Sequence, residues 1–289
     1  MTNKLYNDLT IIIVAFNSNE LLIECVDNVK EYKIIIVDNG KNEKIFPKLN
    51  YQNSNIKIIT KNKNLGFPKA INFAVESIKT NYFLILNADT FISKESINNL
   101  LKTCKKYENC GAAAPITEHS SDGYDLFPEN GKGIKRTDSE KKKSIMFHNF
   151  KPDGEICVEV AKLGLMINLK NFLAVKKFNE NYFMFWEEID LCRKFRKHNF
   201  SVIVNPLATL IHKEKKSSNK DLITFLIKNF HLELSPLIYF NIKKTSNFLY
   251  FRLLKYTFRT ISYLCILNLK KSLNNIIKLG ALFYYIFIY

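Results

Sequence analysis

Between residues 9 and 107, short apolar runs alternate with segments of helical period. The apolar runs are LTIIIVAF (9–16), KIIIVDNG (33–40), IKIITKN (56–62) and NYFLILNADT (81–90). The helical segments are NELLIECVDNVKEY (19–32), PKAINFAVESIKT (68–80) and SKESINNLLKTCKKY (93–107), the last with Ser93 placed as an N-cap. A strand that is apolar on both faces must be covered on both faces. Such strands interleaved with helices predict an α/β domain with a mostly parallel central sheet. Further along, KLGLMIN (162–168) and FSVIVNPLATLIH (200–212) read as strands, with a helix opening at Glu187 between them. From 118 to 159 the pattern dissolves into Gly, Asp, Ser and Lys, which predicts an excursion away from the core.

In an open α/β sheet the ligand lies at the carboxyl ends of the strands. Those ends read Phe16-Asn17-Ser18, Asp38-Asn39-Gly40, Lys61 to Gly66 and Asn87-Ala88-Asp89-Thr90, all polar and two of them with a carboxylate. No GxGxxG follows the first strand and no GxxxxGK[ST] occurs anywhere, which argues against dinucleotide-binding and P-loop enzymes.

The stretch FMFWEEIDLCRKF (183–195) sets the only tryptophan, Trp186, against three carboxylates, Glu187, Glu188 and Asp190. Acids are favoured in the first turn of a helix, so capping alone accounts for such a run. A carboxylate beside an apolar wall is also where desolvation raises a pKa toward neutrality, as a general base requires.

Together the stretches IIIVAFNS, IIIVDNG, KNLGFPKAIN, YFLILNADT, FNENYFMFWEEIDLCRKFRKHNF and LIHKEKKS resemble glycosyltransferase family 2, the inverting enzymes of GT-A fold, and within it the rhamnosyltransferase-like branch that builds cell-surface polysaccharide. The resemblance spans about residues 9 to 218. It implies a Rossmann-like mixed sheet with helices on both faces as a catalytic domain over 1–219, followed by a helical extension over 220–289. It further implies a nucleoside held by the turn Ala15, Phe16 and Asn17, with Asp38 on the pyrimidine N3–H; the same residue also reads as a plain Asp-Asn-Gly turn. Gly66 and Asn72 belong to the segment that closes over the nucleotide, where glycine lets backbone approach a phosphate. Pro68-Lys69 stand where the family has small residues, and Lys69 is left open between the diphosphate and solvent. Asn87, Ala88 and Asp89 fill the family's DxD position with one acid replaced, so Asp89 carries the metal contact and His212 can supply the second ligand; a lone histidine closing a strand is the competing reading for His212. The cofactor implied is a divalent cation, Mg²⁺ or Mn²⁺, on the diphosphate. Ser217 matches a small polar residue at the phosphates. Glu188 is the implied general base, with Glu187 orienting it or meeting the acceptor, Asp190 as cap or acceptor contact, and Trp186 and Phe185 shaping the acceptor pocket. Core packing is the competing reading for the two aromatic residues.

The activity expected is transfer of a sugar, first choice rhamnose from dTDP-rhamnose, to a glycan or lipid-linked glycan of a surface polysaccharide. A UDP-sugar donor and a non-catalytic nucleotide-sugar-binding relative are the alternatives. The net charge of +16 is concentrated in part at the end of the chain: residues 222–289 carry nine Lys/Arg against a single acid, Glu233. Those cations sit among Phe, Tyr, Leu and Ile, a pattern of anionic membrane surfaces; helical packing and nucleic acid are the competing readings. No nucleic-acid module is recognisable, so nucleic acid is not expected as a partner. Six cysteines without CxxC spacing fit a reducing cytoplasm, and the start of the chain shows no signal-peptide pattern. No uninterrupted apolar run of membrane-spanning length occurs. The expected location is cytoplasmic, peripheral on the inner face of the cell membrane.

Overall fold

The computed structural model describes residues 8–18, 20–40, 42, 44–49, 55–61, 63–118, 154–213 and 222–289. Contacts group the chain into two compact units: Met1–Asn179 with Glu188–Ser218, and Glu180–Glu187 with Asn219–Tyr289. The division expected at 219/220 takes no account of the Glu180–Glu187 segment.

In chain order the first unit carries β1 (Leu9–Ala15), α1 (Glu20–Asn28), β2 (Lys33–Asp38), β3 (Ile56–Thr60), α2 (Phe67–Val75), β4 (Tyr82–Asn87), β5 (Thr90–Ile92) and α3 (Lys94–Lys106). It continues with β6 (Cys110–Glu118), β7 (Ile156–Cys157), β8 (Met166–Asn168), α4 (Leu169–Ala174), α5 (Glu187–Lys197, whose first residue groups with the second unit) and β9 (Ser201–His212). The strands form one sheet in the order β3-β2-β1-β4-β8-β6-β9-β5, with β7 added on β9. β1, β2, β3 and β4 are parallel, β8 runs antiparallel to β4 and β6, and β5 antiparallel to β9. The sheet is therefore mixed, as expected.

Strand alternation splits the core in two. Leu9, Ile11, Ile13 and Ala15 pack with Leu22, Cys25 and Val26 of α1 and Ile97, Leu100, Leu101 and Cys104 of α3. Ile12, Ile35 and Val37 join Ala70, Ile71 and Ala74 of α2, Phe172 of α4, and Leu191, Cys192 and Phe195 of α5. Both faces are covered, which is why the strands could be apolar throughout. Ser93 caps α3 by accepting from the Ser96 N–H at 3.0 Å.

Two expectations need correction. The strand expected over 162–168 is only Met166–Asn168, because Leu163 (φ 50°) and Gly164 (φ 62°) make a left-handed turn before it. A Cβ on Gly164 would sit 2.6 Å from Leu210 Cδ1. The excursion expected over 118–159 falls mostly outside the described residues, but its end is core. Ile156 and Cys157 pair with Val204 and Ile203 of β9, and Val158 is fully buried. Glu155 accepts from Thr103 Oγ1, Lys106 Nζ and Tyr107 OH at 2.6, 2.7 and 3.0 Å, which anchors this return to α3.

The second unit contains α6 (Leu222–Phe240), α7 (Asn247–Cys265) and α8 (Leu269–Phe287). Its polar centre is buried Glu233, paired with Arg252 and accepting from Tyr256 OH at 2.9 Å. Among the described residues no helix is long and apolar enough to cross a membrane.

Candidate active site

Register sets the strand ends level. Ala15 pairs with Asp38, Asp38 with Thr60, and Val14 with Asn87. The order β2-β1-β4 places the reversal of connection beside β1, the position at which open sheets bind ligands. Ala15, Asp38 and Asn87 thus reach one edge together.

Three asparagines fix the loops there. Asn42 Nδ2 donates to Asp38 Oδ1 at 2.6 Å and to the Ala15 carbonyl at 3.2 Å, while its Oδ1 accepts from the Ser18 N–H at 2.7 Å. Asn39 Nδ2 donates to the Gly66 carbonyl at 3.0 Å, and its Oδ1 accepts from the Leu65 N–H at 2.8 Å. Asn64 Oδ1 accepts from the Gly66 N–H at 2.9 Å. Gly66 has φ 78°, a conformation that favours glycine, and opens α2 with Pro68 in its first turn. Gly40 has another necessity: a Cβ there would lie 2.7 Å from both N and Oδ1 of Asn17, itself left-handed at φ 46°. Asn39, Asn42 and Asn64 were not singled out from sequence; the turn signal of Asp-Asn-Gly pointed to the first without revealing its partner loop. Asn72, expected near the nucleotide, holds Phe178 by a reciprocal pair, its Nδ2 donating to the carbonyl and its Oδ1 accepting from the N–H, each at 3.0 Å.

Asp89 and His212 do come together. Asp89 lies in the turn between β4 and β5, and His212 ends β9 opposite Thr90. The Asp89 Oδ1–His212 Nε2 distance is 3.3 Å, and the Lys213 N–H donates to the Asp89 carbonyl at 3.0 Å. Asp89 is only 4% exposed. Burial, and next the Asp89 carboxylate, push the Cys25 thiol up to about 12. Ala88 is buried and the Asn87 carbonyl accepts from Thr90 Oγ1 at 2.7 Å, which stiffens the turn. One carboxylate and one imidazole suit a hard divalent ion that keeps further positions for phosphate and water. No group of three or more His, Cys, Asp or Glu able to hold a metal occurs among the described residues. Ser217 lies outside the described residues.

In the first unit Glu188 sits in the opening turn of α5, and the Leu163 N–H bonds to its carboxylate. Loss of solvation pushes that carboxyl above the ordinary carboxylate range; the Lys162 ammonium and the Leu163 N–H pull it partly back. The left-handed turn at Leu163 and Gly164 is what points this N–H, a contact the strand reading of 162–168 concealed. Asp190 is buried and paired with Arg193 one turn on. Lys194 donates to the Lys177 carbonyl, tying α5 to a left-handed pair at Lys176 and Lys177.

In the second unit, Phe185 (φ 66°) and Trp186 (φ 70°) are consecutive left-handed residues directly before Glu187, which is buried. Such conformations cost bulky residues about 1–3 kcal/mol each and persist where surroundings hold them. Here Trp186 packs on Tyr239 and Phe240 with ring centroids 5.0 and 5.4 Å apart, Phe183 stacks on His231 at 4.7 Å, and Ser235 Oγ donates to the Met184 carbonyl at 2.8 Å. Burial holds the His231 imidazole down to about 4.

The mixed sheet with helices on both faces is the fold of the GT-A glycosyltransferases. The chain belongs to glycosyl transferase family 2, whose family model matches residues 10–165. It is 31% identical over 120 residues to the teichoic acid poly(glycerol phosphate) polymerase of Staphylococcus epidermidis, covering 38% of this chain and 16% of that protein. It is 25% identical over 232 residues to the low-salt glycan biosynthesis hexosyltransferase Agl10 of Haloferax volcanii, covering 72% of this chain and 68% of that one. The chain therefore spans only a small part of the staphylococcal relative. Among solved structures, GalNAc-T7 with UDP, GalNAc and Mn²⁺ superposes at TM-score 0.56 and 15% identity, covering 72% of this chain and 44% of that one. The mannosyltransferase PcManGT from Pyrobaculum calidifontis with GDP-Man and Mn²⁺ gives 0.55 and 12%, covering 78% and 62%. These likenesses are of fold.

Proposed function

We propose that the chain is an inverting glycosyltransferase that moves a sugar from a nucleoside diphosphate to a hydroxyl of a growing surface glycan. The observation that carries this reading is the meeting of Ala15, Asp38 and Asn87 at one sheet edge, beside the Asp89–His212 pair on the β4–β5 turn. Asp38 takes the base, and the Gly66 loop held by Asn39 lies against the phosphates. Asp89 and His212 would hold a divalent ion, Mg²⁺ or Mn²⁺, whose charge offsets that of the departing diphosphate. Glu188 takes the proton of the acceptor hydroxyl as that oxygen bonds to the anomeric carbon and the bond from that carbon to the diphosphate breaks. Its raised pKa makes it a better proton acceptor than an ordinary carboxylate. Asp190, paired with Arg193, steadies the start of α5.

Rhamnose from dTDP-rhamnose is the donor placed first, on the branch resemblance alone. A UDP-hexose is the second reading, favoured by the hexosyltransferase among the relatives. The acceptor is placed as lipid-linked, and the enzyme as peripheral on the inner face of the membrane, held by the tail of nine Lys/Arg and one acid. The test is release of nucleoside diphosphate from a panel of dTDP-, UDP-, GDP- and CDP-sugars with Mn²⁺ present. Turnover of one pyrimidine donor supports the reading and names the base; no turnover of any donor leaves only a nucleotide-sugar-binding relative.

A further inference from the structure

We infer that one face of α7, together with the turn that follows it, is the surface that docks on an anionic lipid bilayer; this deepens the membrane reading given above and rests on it. Helix α7 packs inward through Leu249 and Tyr256. Its outer face repeats Phe251, Leu254, Phe258, Ile261 and Cys265 at alternating steps of three and four, a stripe about 80° wide at 3.6 residues per turn. This stripe is bare: Phe251 is 66% exposed, Leu254 50%, Phe258 72% and Ile261 56%. The turn to α8 continues it with Ile266, Leu267 and Leu269, Leu267 being 82% exposed. A water-facing helix face of this composition is unfavourable unless something covers it.

Charge decides what covers it. Lys255 and Arg259 run exposed along one edge of the stripe, and Lys270 and Lys271 stand exposed beside the turn. No Asp or Glu follows Glu233, so no acid opposes them within α7 or α8. A second copy of this chain would bring the same cations against one another. An anionic bilayer accepts both features, with rings at the headgroup boundary and ammonium and guanidinium groups at the phosphates. A helix lying in that interface also agrees with the lack, among the described residues, of any helix able to cross.

The test is co-sedimentation of the full chain with phosphatidylglycerol–phosphatidylcholine vesicles and with phosphatidylcholine alone. Light scattering reports the mass in solution, and melting temperature confirms that each variant is folded. The wild type binds the anionic vesicles more tightly. Phe251→Ser with Phe258→Ser lowers binding by about 10-fold or more per ring. Lys255→Gln with Arg259→Gln lowers it by about 5-fold per charge on the anionic vesicles only. Phe283→Ser, a half-exposed ring on α8, changes nothing. Wild-type binding that survives the double Phe change overturns the assignment of the face while leaving the membrane reading intact. No wild-type binding to either vesicle overturns the membrane reading itself. A dimer that the double Phe change dissociates, with no vesicle binding, shows that the face joins two copies.

Discussion

Replacing Glu188 by Gln separates catalysis from stability in opposite directions. The carboxyl is desolvated at the start of α5, and the desolvation outweighs the Lys162 ammonium and the Leu163 N–H. Its folded-state pKa is raised, so the folded protein takes up the proton before the unfolded chain as pH falls. Stability attributable to this group therefore rises as pH drops through the folded value, is complete below the unfolded value, and is forfeited above the folded one. At neutral pH the ionised form is therefore a burden on the folded state. Gln keeps an oxygen for the Leu163 N–H and removes the charge, so Glu188→Gln melts higher at neutral pH, by about 2–4 °C per kcal/mol at this chain length. The gain shrinks as the pH is lowered toward the ordinary carboxylate range. The same change removes the base and lowers kcat by about 10²–10⁴-fold, or about 3–5 kcal/mol on the barrier. The assays are transfer to acceptor at saturating donor and thermal melts of both forms across acid and neutral pH. A variant less stable at neutral pH, or a stability difference independent of pH, refutes the desolvated base; so does transfer at the wild-type rate.

Asp89→Asn abolishes the Mn²⁺-dependent part of nucleoside diphosphate binding while leaving the metal-free part, as read by calorimetric titration with and without Mn²⁺. Asn39→Ala strips the two Asn39 bonds to the Leu65 N–H and the Gly66 carbonyl; the carbonyl keeps the Ala70 N–H, so the unpaired Leu65 N–H sets the loss, about 1–3 kcal/mol of unfolding free energy, and nucleotide binding weakens in the same titration. Gly40→Ala forces a Cβ to 2.7 Å from Asn17, costs about 1–3 kcal/mol in denaturant melts, and displaces the β1 turn so that nucleoside affinity falls with it. In wild-type enzyme the transfer rate drops with falling pH at a midpoint above the ordinary Glu range, because protonated Glu188 is no base; a midpoint at or below that range contradicts the role.

β1, β2 and β4 were legible because burial on both faces left an unbroken apolar signature, while the edge strand β3 alternates with exposed Lys57; the ends matched closely, with β1, β2 and β3 stopping at Ala15, Asp38 and Thr60. β6 was missed because Cys-Gly-Ala-Ala-Ala has little intrinsic strand preference; it is a strand by tertiary context, with Gly111 so close to the Phe195 ring that a Cβ would lie 2.7 Å away. The Leu163–Gly164 turn was missed because Lys-Leu-Gly-Leu reads as apolar alternation, while Leu210 and Pro115, which leave no room for a Cβ at the glycine, come from distant sequence. In the site, carboxylates and histidine stood out by chemical type. The asparagines that hold the loops did not, since Asn39 reaches Gly66 and Asn42 reaches Ala15 across distant sequence. The grouping of Glu180–Glu187 with the terminal helices was illegible for the same reason: Trp186 meets Tyr239 and Phe240 far along the chain.

Whether the strand ends hold a pyrimidine nucleoside diphosphate together with a divalent ion is tested most directly by melting the wild-type protein with dTDP, UDP, GDP and CDP, each with and without Mn²⁺. Binding to the folded state raises the melting temperature by mass action. The account predicts a rise with one pyrimidine diphosphate that grows when Mn²⁺ is added. No rise with any of the four, metal present or absent, contradicts it.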